Sequence, residues 1–500
     1  MNIAIVGAGI SGSNILKSLL THPNFQADDK IAVFEPRQSL GSGLPYEPTD
    51  DESIMLNTSS DVLSVDAENE LDFTEWLELH FIEPTNFENL VSRPRYGKYL
   101  VERFAPFYNH NQVHHVKNSV VDVEVLDAGT KEPATETQDG NFVYRIKTED
   151  GWQDKVYDAV FFSVGHPEYN DFYDLKETEN YIHNPYPMKE NLADFDSSQK
   201  ISVIGSGATG VDLMRFFTSN YELEQPLTFY DLKDPFHCVA IPYEKDDVTY
   251  RLTQEWVQEQ KAIHNGFIPL EIIIDTIKED LKQENADPLA VYDRYKAGTL
   301  DVFRQAFQLK DQELAAVQQY AGKSVPNLPH LYNALSGEDQ QEYMEKVHPV
   351  MMFFKAKVPY YSYQWLFELI DAGKVETVAG LKEVNVLDDG RFQFITEDGK
   401  VEEADIVVNA TGFMNNIEQL TNHSPLIKNL FHRRLIMPHV NGKFILVDWP
   451  QCRVINQQYG RMENLFFLGL LIGGTQHENN DAGQTIQQAR YTARTFMDRR

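Results

Sequence analysis

Three glycines at Gly-x-Gly-x-x-Gly spacing occur twice in this chain, each time between a short apolar run and a helical stretch. MNIAIVGAGISGSNI opens the sequence, and KISVIGSGATGVDLM (200–214) repeats the pattern. A strand feeding such a turn and then a helix places backbone N–H groups and the positive end of a helix dipole around a pyrophosphate. Two copies therefore predict two bound dinucleotides.

Each copy carries the rest of the unit. In the first, Asn2 to Val6 reads as a buried strand, rich in β-branched residues. Gly7 permits the tight turn, Gly9 lets backbone approach the pyrophosphate, and Gly12 lets the helix, about 10–20, pack on the strand. The next strand, IAVFE, ends in Glu35, twenty-three residues beyond Gly12, where an acid binds the ribose of an adenosine. In the second copy Gly205, Gly207 and Gly210 take the glycine positions, and LTFYD ends in Asp231, twenty-one residues on. An acid there favours a free 2′-hydroxyl and hence NADH over NADPH, a preference softened by the neighbouring Lys233.

A second duplication follows the first. NFVYRIKTEDG (141–151) and RFQFITEDGK (391–400) both alternate and then turn at Asp-Gly, as hairpins do. Each precedes a strand running from an aspartate to a glycine seven residues later, DAVFFSVG ending at Gly165 and DIVVNATG ending at Gly412. Such return strands belong in a parallel sheet with their final turns on the ligand edge. NLFFLGLLIGG (464–474) reads as one more buried strand, followed by an amphipathic helix from about 482 to 496. Elements this late rejoin the first sheet most simply, which makes the first domain discontinuous and the second an insertion.

With 500 residues the chain is too long for one core, since domains usually run ~50–250 residues. A formal net charge of −32 repels phosphate backbones and anionic lipid, so no nucleic-acid partner is expected. Two widely separated cysteines, Cys238 and Cys452, exclude a disulfide scaffold, a Cys-x-x-Cys redox pair and a cysteine-rich metal site. No metal is expected. The N-terminus lacks the basic segment of a signal peptide, and no apolar stretch reaches the ~18 residues of a membrane span. A cytoplasmic protein without a membrane span is the expectation.

These features together resemble the two-dinucleotide-binding flavoprotein superfamily, and within it the FAD/NAD(P)-binding oxidoreductases related to flavin-containing and N-hydroxylating monooxygenases. The resemblance rests on VGAGISG (6–12) with Glu35, VIGSGATG (203–210), SVGHP (163–167) and NATGF (409–413). It is supported by GSGLPYE (41–47), LNTSSDVLS (56–64), RPRYGKYL (93–100) and the closing LFFLGLLIGG. It implies an α/β fold of two Rossmann-like three-layer domains, the second inserted in the first. The implied domains are an FAD-binding domain (1–195 and 400–500) and an NAD(P)-binding domain (196–244 and 350–399); residues 245–349, rich in Glu, Gln, Lys and aromatics at helical spacing, read by themselves as a mainly helical insertion, a substrate cap or a homodimer contact. By the same resemblance Gly7, Gly9, Ser11, Gly12 and Glu35 hold FAD, while Gly205, Gly207, Thr209 and Gly210 hold NAD(P)H. Many members carry a Gly-Asp pair in the late strand; this chain has LGLLIGG instead.

The polar loop 41–65 follows the adenosine acid directly and offers Ser42 and Asn57 as hydrogen-bonding groups toward the cofactor. Catalytic candidates are Arg95 and Tyr96, at the opening of an amphipathic helix, and His477, between the late strand and the last helix. The expected activity is hydride transfer from NAD(P)H to FAD, monooxygenase-like on a small organic substrate. A flavin reductase or oxidase without oxygen insertion, and a non-catalytic dinucleotide sensor, stay open as alternatives.

Overall fold

The computed structural model describes residues 1–81, 91–135, 141–233, 236–440, 442–479 and 481–500. They form two compact units, one of Met1–Glu52, Thr58–Glu168 and Phe413–Arg500, the other of Ser53–Asn57 and Tyr169–Gly412.

In the first unit the strand Asn2–Val6 pairs in parallel with Lys30–Phe34 on one side and Ala159–Phe162 on the other. Val113–Val116 extends the sheet beyond Lys30–Phe34, and Gly460–Phe467 extends it beyond Ala159–Phe162. An antiparallel strand, Arg453–Asn456, closes the far edge. Near-continuous burial explains the unalternating apolar runs: Ile3, Ala4, Ile5, Val160 and Phe161 are fully buried, as in sheets covered on both faces. Phe161 stacks on Phe466 at 4.5 Å and Phe162 on Phe467 at 5.2 Å, so the late strand is seated by its side chains as well as its ladder. The first helix, Ile10–Leu20, packs against the last, Ala482–Asp498.

The late strand ends earlier than its apolar run suggests. Pairing stops at Phe467, Gly469 turns the chain at φ +91°, and Leu470–Ile472 forms a single 3-10 turn. Hydrophobicity persists past the strand because Leu471 and Ile472 remain buried.

The second unit repeats the plan. Ile201–Ile204 lies between Leu227–Tyr230 and Ile406–Asn409, with Val375–Val378 and Tyr181–Ile182 outermost, all parallel. Each unit carries a three-stranded antiparallel meander just before its return strand: Val120–Asp127, Phe142–Thr148 and Gly151–Tyr157 in the first, Leu381–Val386, Phe392–Thr396 and Val401–Ala404 in the second. Because Tyr181–Ile182 and Ile406–Asn409 belong to the second sheet, the units part after 168 and 412, whereas the sequence places those boundaries near 195 and 400. Between Gln254 and Lys355 the second unit is helical, with helices such as Leu270–Lys282 and Gln312–Ser324 around a core of Leu252, Ile268, Ile273, Leu331 and Leu335. Among the described residues no helix is long and apolar enough to cross a membrane.

Candidate functional site

At the first glycine turn Gly7 has φ +100°, and a Cβ on it would lie 2.2 Å from the carbonyl oxygen of Ser163, just past the return strand. A Cβ on Gly12 would lie 2.0 Å from the Gly7 oxygen. Both glycines are thus demanded by the fold itself. Gly9 is different. It caps the helix Ile10–Leu20, and a Cβ there would meet only Gly43, its Cα at an ordinary 3.5 Å and its N at 3.9 Å. The fold tolerates a side chain at this point and yet leaves it empty, over the helix start.

Glu35 is buried and oriented by its neighbours. Its Oε2 accepts from the Ala8 N–H at 3.0 Å, and its Oε1 from the Arg37 N–H at 3.1 Å and Nε at 3.2 Å. Arg37 Nη1 is buried without a hydrogen-bond partner among the described residues. A cleft of about 570 Å³ opens here, wholly within the first unit. Gly7, Gly9, Ser11, Glu35 and Arg37 form one part of its wall, and Ser42, Gly43 and Tyr46 come from the following loop. Gly165 and His166 follow the return strand, and Leu470, Ala482 and Thr485 follow the late strand. The volume falls in the range of small-molecule and cofactor sites, ~300–1,000 Å³.

The second glycine turn has the same logic. Gly205 has φ +97° and its Cβ would meet the Ala410 oxygen at 2.5 Å; that of Gly210 would meet the Gly205 oxygen at 3.0 Å. Gly207 is again the open one, with His237 Nε2 nearest at 3.9 Å. Asp231 accepts from Ser206 Oγ and from the Leu232 N–H at 3.0 Å, while Ser206 Oγ accepts from the Phe236 N–H at 2.7 Å. In both units, then, the terminal acid is held by the residue between the first two glycines. A glutamate reaches the Ala8 backbone; the shorter aspartate is met by a serine hydroxyl. Thr209 lies half-buried in the first turn of the helix Ala208–Asn220.

Residues 4–167 match the family model described as FAD-NAD(P)-binding. Solved structures resemble the whole chain. L-lysine 6-monooxygenase from Pseudomonas syringae aligns over 99% of both chains with a TM-score of 0.63 at 12% identity. Ornithine hydroxylase from Pseudomonas aeruginosa aligns over 99% of this chain and 98% of that one, with a TM-score of 0.61 at 12% identity. A cadaverine monooxygenase from Erwinia amylovora, solved with FAD bound, aligns over 100% and 94% with a TM-score of 0.54 at 12% identity. The chain has the two-dinucleotide-binding flavoprotein fold. No curated protein sequence matches it.

Within this flavoprotein fold the sequence-derived candidates separate. Gly7, Gly9, Ser11, Glu35, Ser42 and Gly165 come together on the cleft wall, and Gly12 packs directly behind it. Gly165 and Gly412 end the two return strands in matching left-handed conformations, φ +78° and +81°. Asn57 is exposed, off the cleft wall, in the short segment grouped with the second unit. Arg95 is occupied elsewhere: its Nε donates to Glu52 at 3.0 Å and its guanidinium lies 4.4 Å over Phe81. Tyr96 is fully buried, donates to the Leu63 oxygen at 3.0 Å, and braces Tyr46 edge-on at 5.0 Å. His477 is buried, with φ +57°, and is not part of the cleft lining.

Residue-by-residue reading missed Arg37, Tyr46 and His166. Tyr46 and His166 stand inside the quoted runs GSGLPYE and SVGHP, and Arg37 lies two residues beyond the terminal acid. Arg93, the first residue of the helix holding Arg95, exerts its charge on both Tyr46 and His166. Two positions separate the arginine near the cleft from the one that pairs with Glu52.

Proposed function

We propose that this protein is an FAD-dependent oxidoreductase that takes hydride from NAD(P)H and acts, in the manner of a monooxygenase, on a small organic substrate. The observation that carries this reading is the pair of open cradles at Gly9 and Gly207. Each leaves side-chain space unfilled over a helix start although the protein's own packing would admit a methyl group.

The first cradle suits FAD. Gly7, Gly9, Ser11 and Gly12 would bring backbone N–H groups to its pyrophosphate, with Ser42 and Gly165 further along the wall. Glu35, already oriented by Ala8 and Arg37, keeps lone pairs for ribose hydroxyls. The buried Arg37 Nη1 gains an acceptor when a ligand fills the cleft. The second cradle, with Gly205, Gly207, Thr209, Gly210 and the turn at Gly412, would take the nicotinamide dinucleotide. Asp231 there disfavours a 2′-phosphate, which supports NADH as the donor. When bound, FAD supplies two-electron chemistry, and the chain supplies binding, orientation and shelter from water. The segment 245–349 would cap the substrate or contact a second copy.

The test is the visible spectrum of the purified protein with FAD, recorded without oxygen before and after NADH or NADPH. Flavin bands that bleach faster with NADH support the assignment; a protein that stays colourless in excess FAD overturns it. Lysine, ornithine and cadaverine, the substrates in the names of the similar structures, form the first panel for oxygen-dependent turnover. NADH consumption tightly coupled to product favours oxygen insertion, and uncoupled peroxide release favours an oxidase.

A further inference from the structure

The order of strands in the first sheet gives the cleft a direction. Glu35 follows Lys30–Phe34, Gly7 follows Asn2–Val6, His166 follows Ala159–Phe162, and Leu470 follows Gly460–Phe467. These strands lie side by side in that order and run parallel, so the four residues mark successive positions along one edge. A dinucleotide with its adenosine ribose at Glu35 and its pyrophosphate at Gly9 must carry its other half past His166 and Leu470.

His166 is a protic side chain at that end. It follows Gly165, whose φ of +78° turns the chain. Its ring borders the cleft and makes no hydrogen bond to any described residue. The ring of Phe413 supports it at a centroid distance of 4.4 Å and 41° between planes. Pro167 and Phe413, its chain neighbour and its support, also line a second cavity of about 180 Å³ with Met414, Phe444 and Leu471. Leu470 borders both spaces. An ordinary surface histidine would be solvated all round and titrate near neutrality. Enclosure by protein on its other sides, aided by the charge of Arg93, lowers this imidazole to about 4, so it is neutral at physiological pH. A neutral imidazole offers one N–H donor and one acceptor.

We propose that His166 hydrogen-bonds the redox ring system of the bound flavin, at the end of the cleft where the smaller cavity adjoins it. The proposal rests on the FAD assignment above. A donor at this place stabilises the electron-rich reduced ring more than the oxidised one, and so raises the potential of the cofactor.

The test compares wild-type protein with His166→Phe, which keeps a ring and removes both nitrogens. Each is loaded with FAD, and the visible band, the midpoint potential and the FAD dissociation constant are measured. The expected result is a variant that still turns yellow, with a shifted band, a more negative potential and about five-fold weaker FAD binding, the worth of one neutral hydrogen bond. His166→Ala replaces the phenylalanine variant if circular dichroism finds the latter unfolded. A yellow variant with wild-type band, potential and affinity overturns the role of His166 alone. Wild-type protein that takes up no FAD overturns the flavin assignment beneath it.

Discussion

Six glycines that look alike in the sequence divide into two kinds at the residue scale. Gly7, Gly12, Gly205 and Gly210 face backbone oxygens at 2.0–3.0 Å from a would-be Cβ, and those atoms cannot step aside. Gly9 and Gly207 face nothing closer than 3.5 Å. Gly7→Ala or Gly12→Ala should therefore destabilise the first unit by a few kcal/mol, seen as a lower melting temperature in circular dichroism. Gly9→Ala should melt like wild type and yet lose FAD, read by the flavin spectrum. Gly207→Ala should stay yellow but lose bleaching by NADH. The spacing shows that glycine is needed at these positions; whether chain or ligand needs it depends on what stands opposite, and Ser163, Ala410 and Gly43 are too distant in sequence to be inferred. The same limit applies to Arg95 and Tyr96. Their helix was legible, but its rotation was not: Tyr46 lines the cleft, and Arg93 reaches it only through its charge on His166.

At the scale of elements the two strand–turn–helix units, the hairpins and the return strands follow from periodicity, because a buried parallel strand and an alternating meander strand have different apolar patterns. Tyr181–Ile182 and Arg453–Asn456 were not legible, being too short to show a period. The last helix starts at Ala482 as its pattern suggests, capped by Asp481, whose side chain accepts from the Gln484 N–H at 2.9 Å. Asp481→Ala should cost ~1 kcal/mol through the lost cap. For a unit of this size that lowers the melting temperature by ~2–4 °C. Since Ala482 and Thr485 line the cleft, a frayed helix start should also weaken FAD binding, measurable as a smaller FAD-induced stabilisation in the variant than in wild type.

On the scale of the whole molecule the acid sensitivity of the second unit can be assigned. Burial alone would raise the Glu402 carboxyl, but hydrogen bonds from Lys400, Tyr230 and Lys200 outweigh it and bring the group down to about 2. A folded-state pKa below the unfolded one gives stability that is complete above about 4.5 and is lost as pH falls toward 2. Urea titrations at pH 7 and pH 3 should differ by roughly 1–3 kcal/mol more in wild type than in Glu402→Gln. The nesting of one unit in the other also has a bearing on synthesis. The strand Ala159–Phe162 must wait for its partner Gly460–Phe467 until the intervening Tyr169–Gly412, an almost continuous piece, has left the ribosome. At ~5–20 residues per second that wait is on the order of 15–60 s. During it, the inner unit can fold while the outer one shows an unpaired apolar edge, Val160 to Phe162, and an unfinished cofactor cleft. On the FAD assignment proposed above, flavin capture waits until Gly460–Phe467 has joined the outer sheet, which until then offers a chaperone an apolar edge.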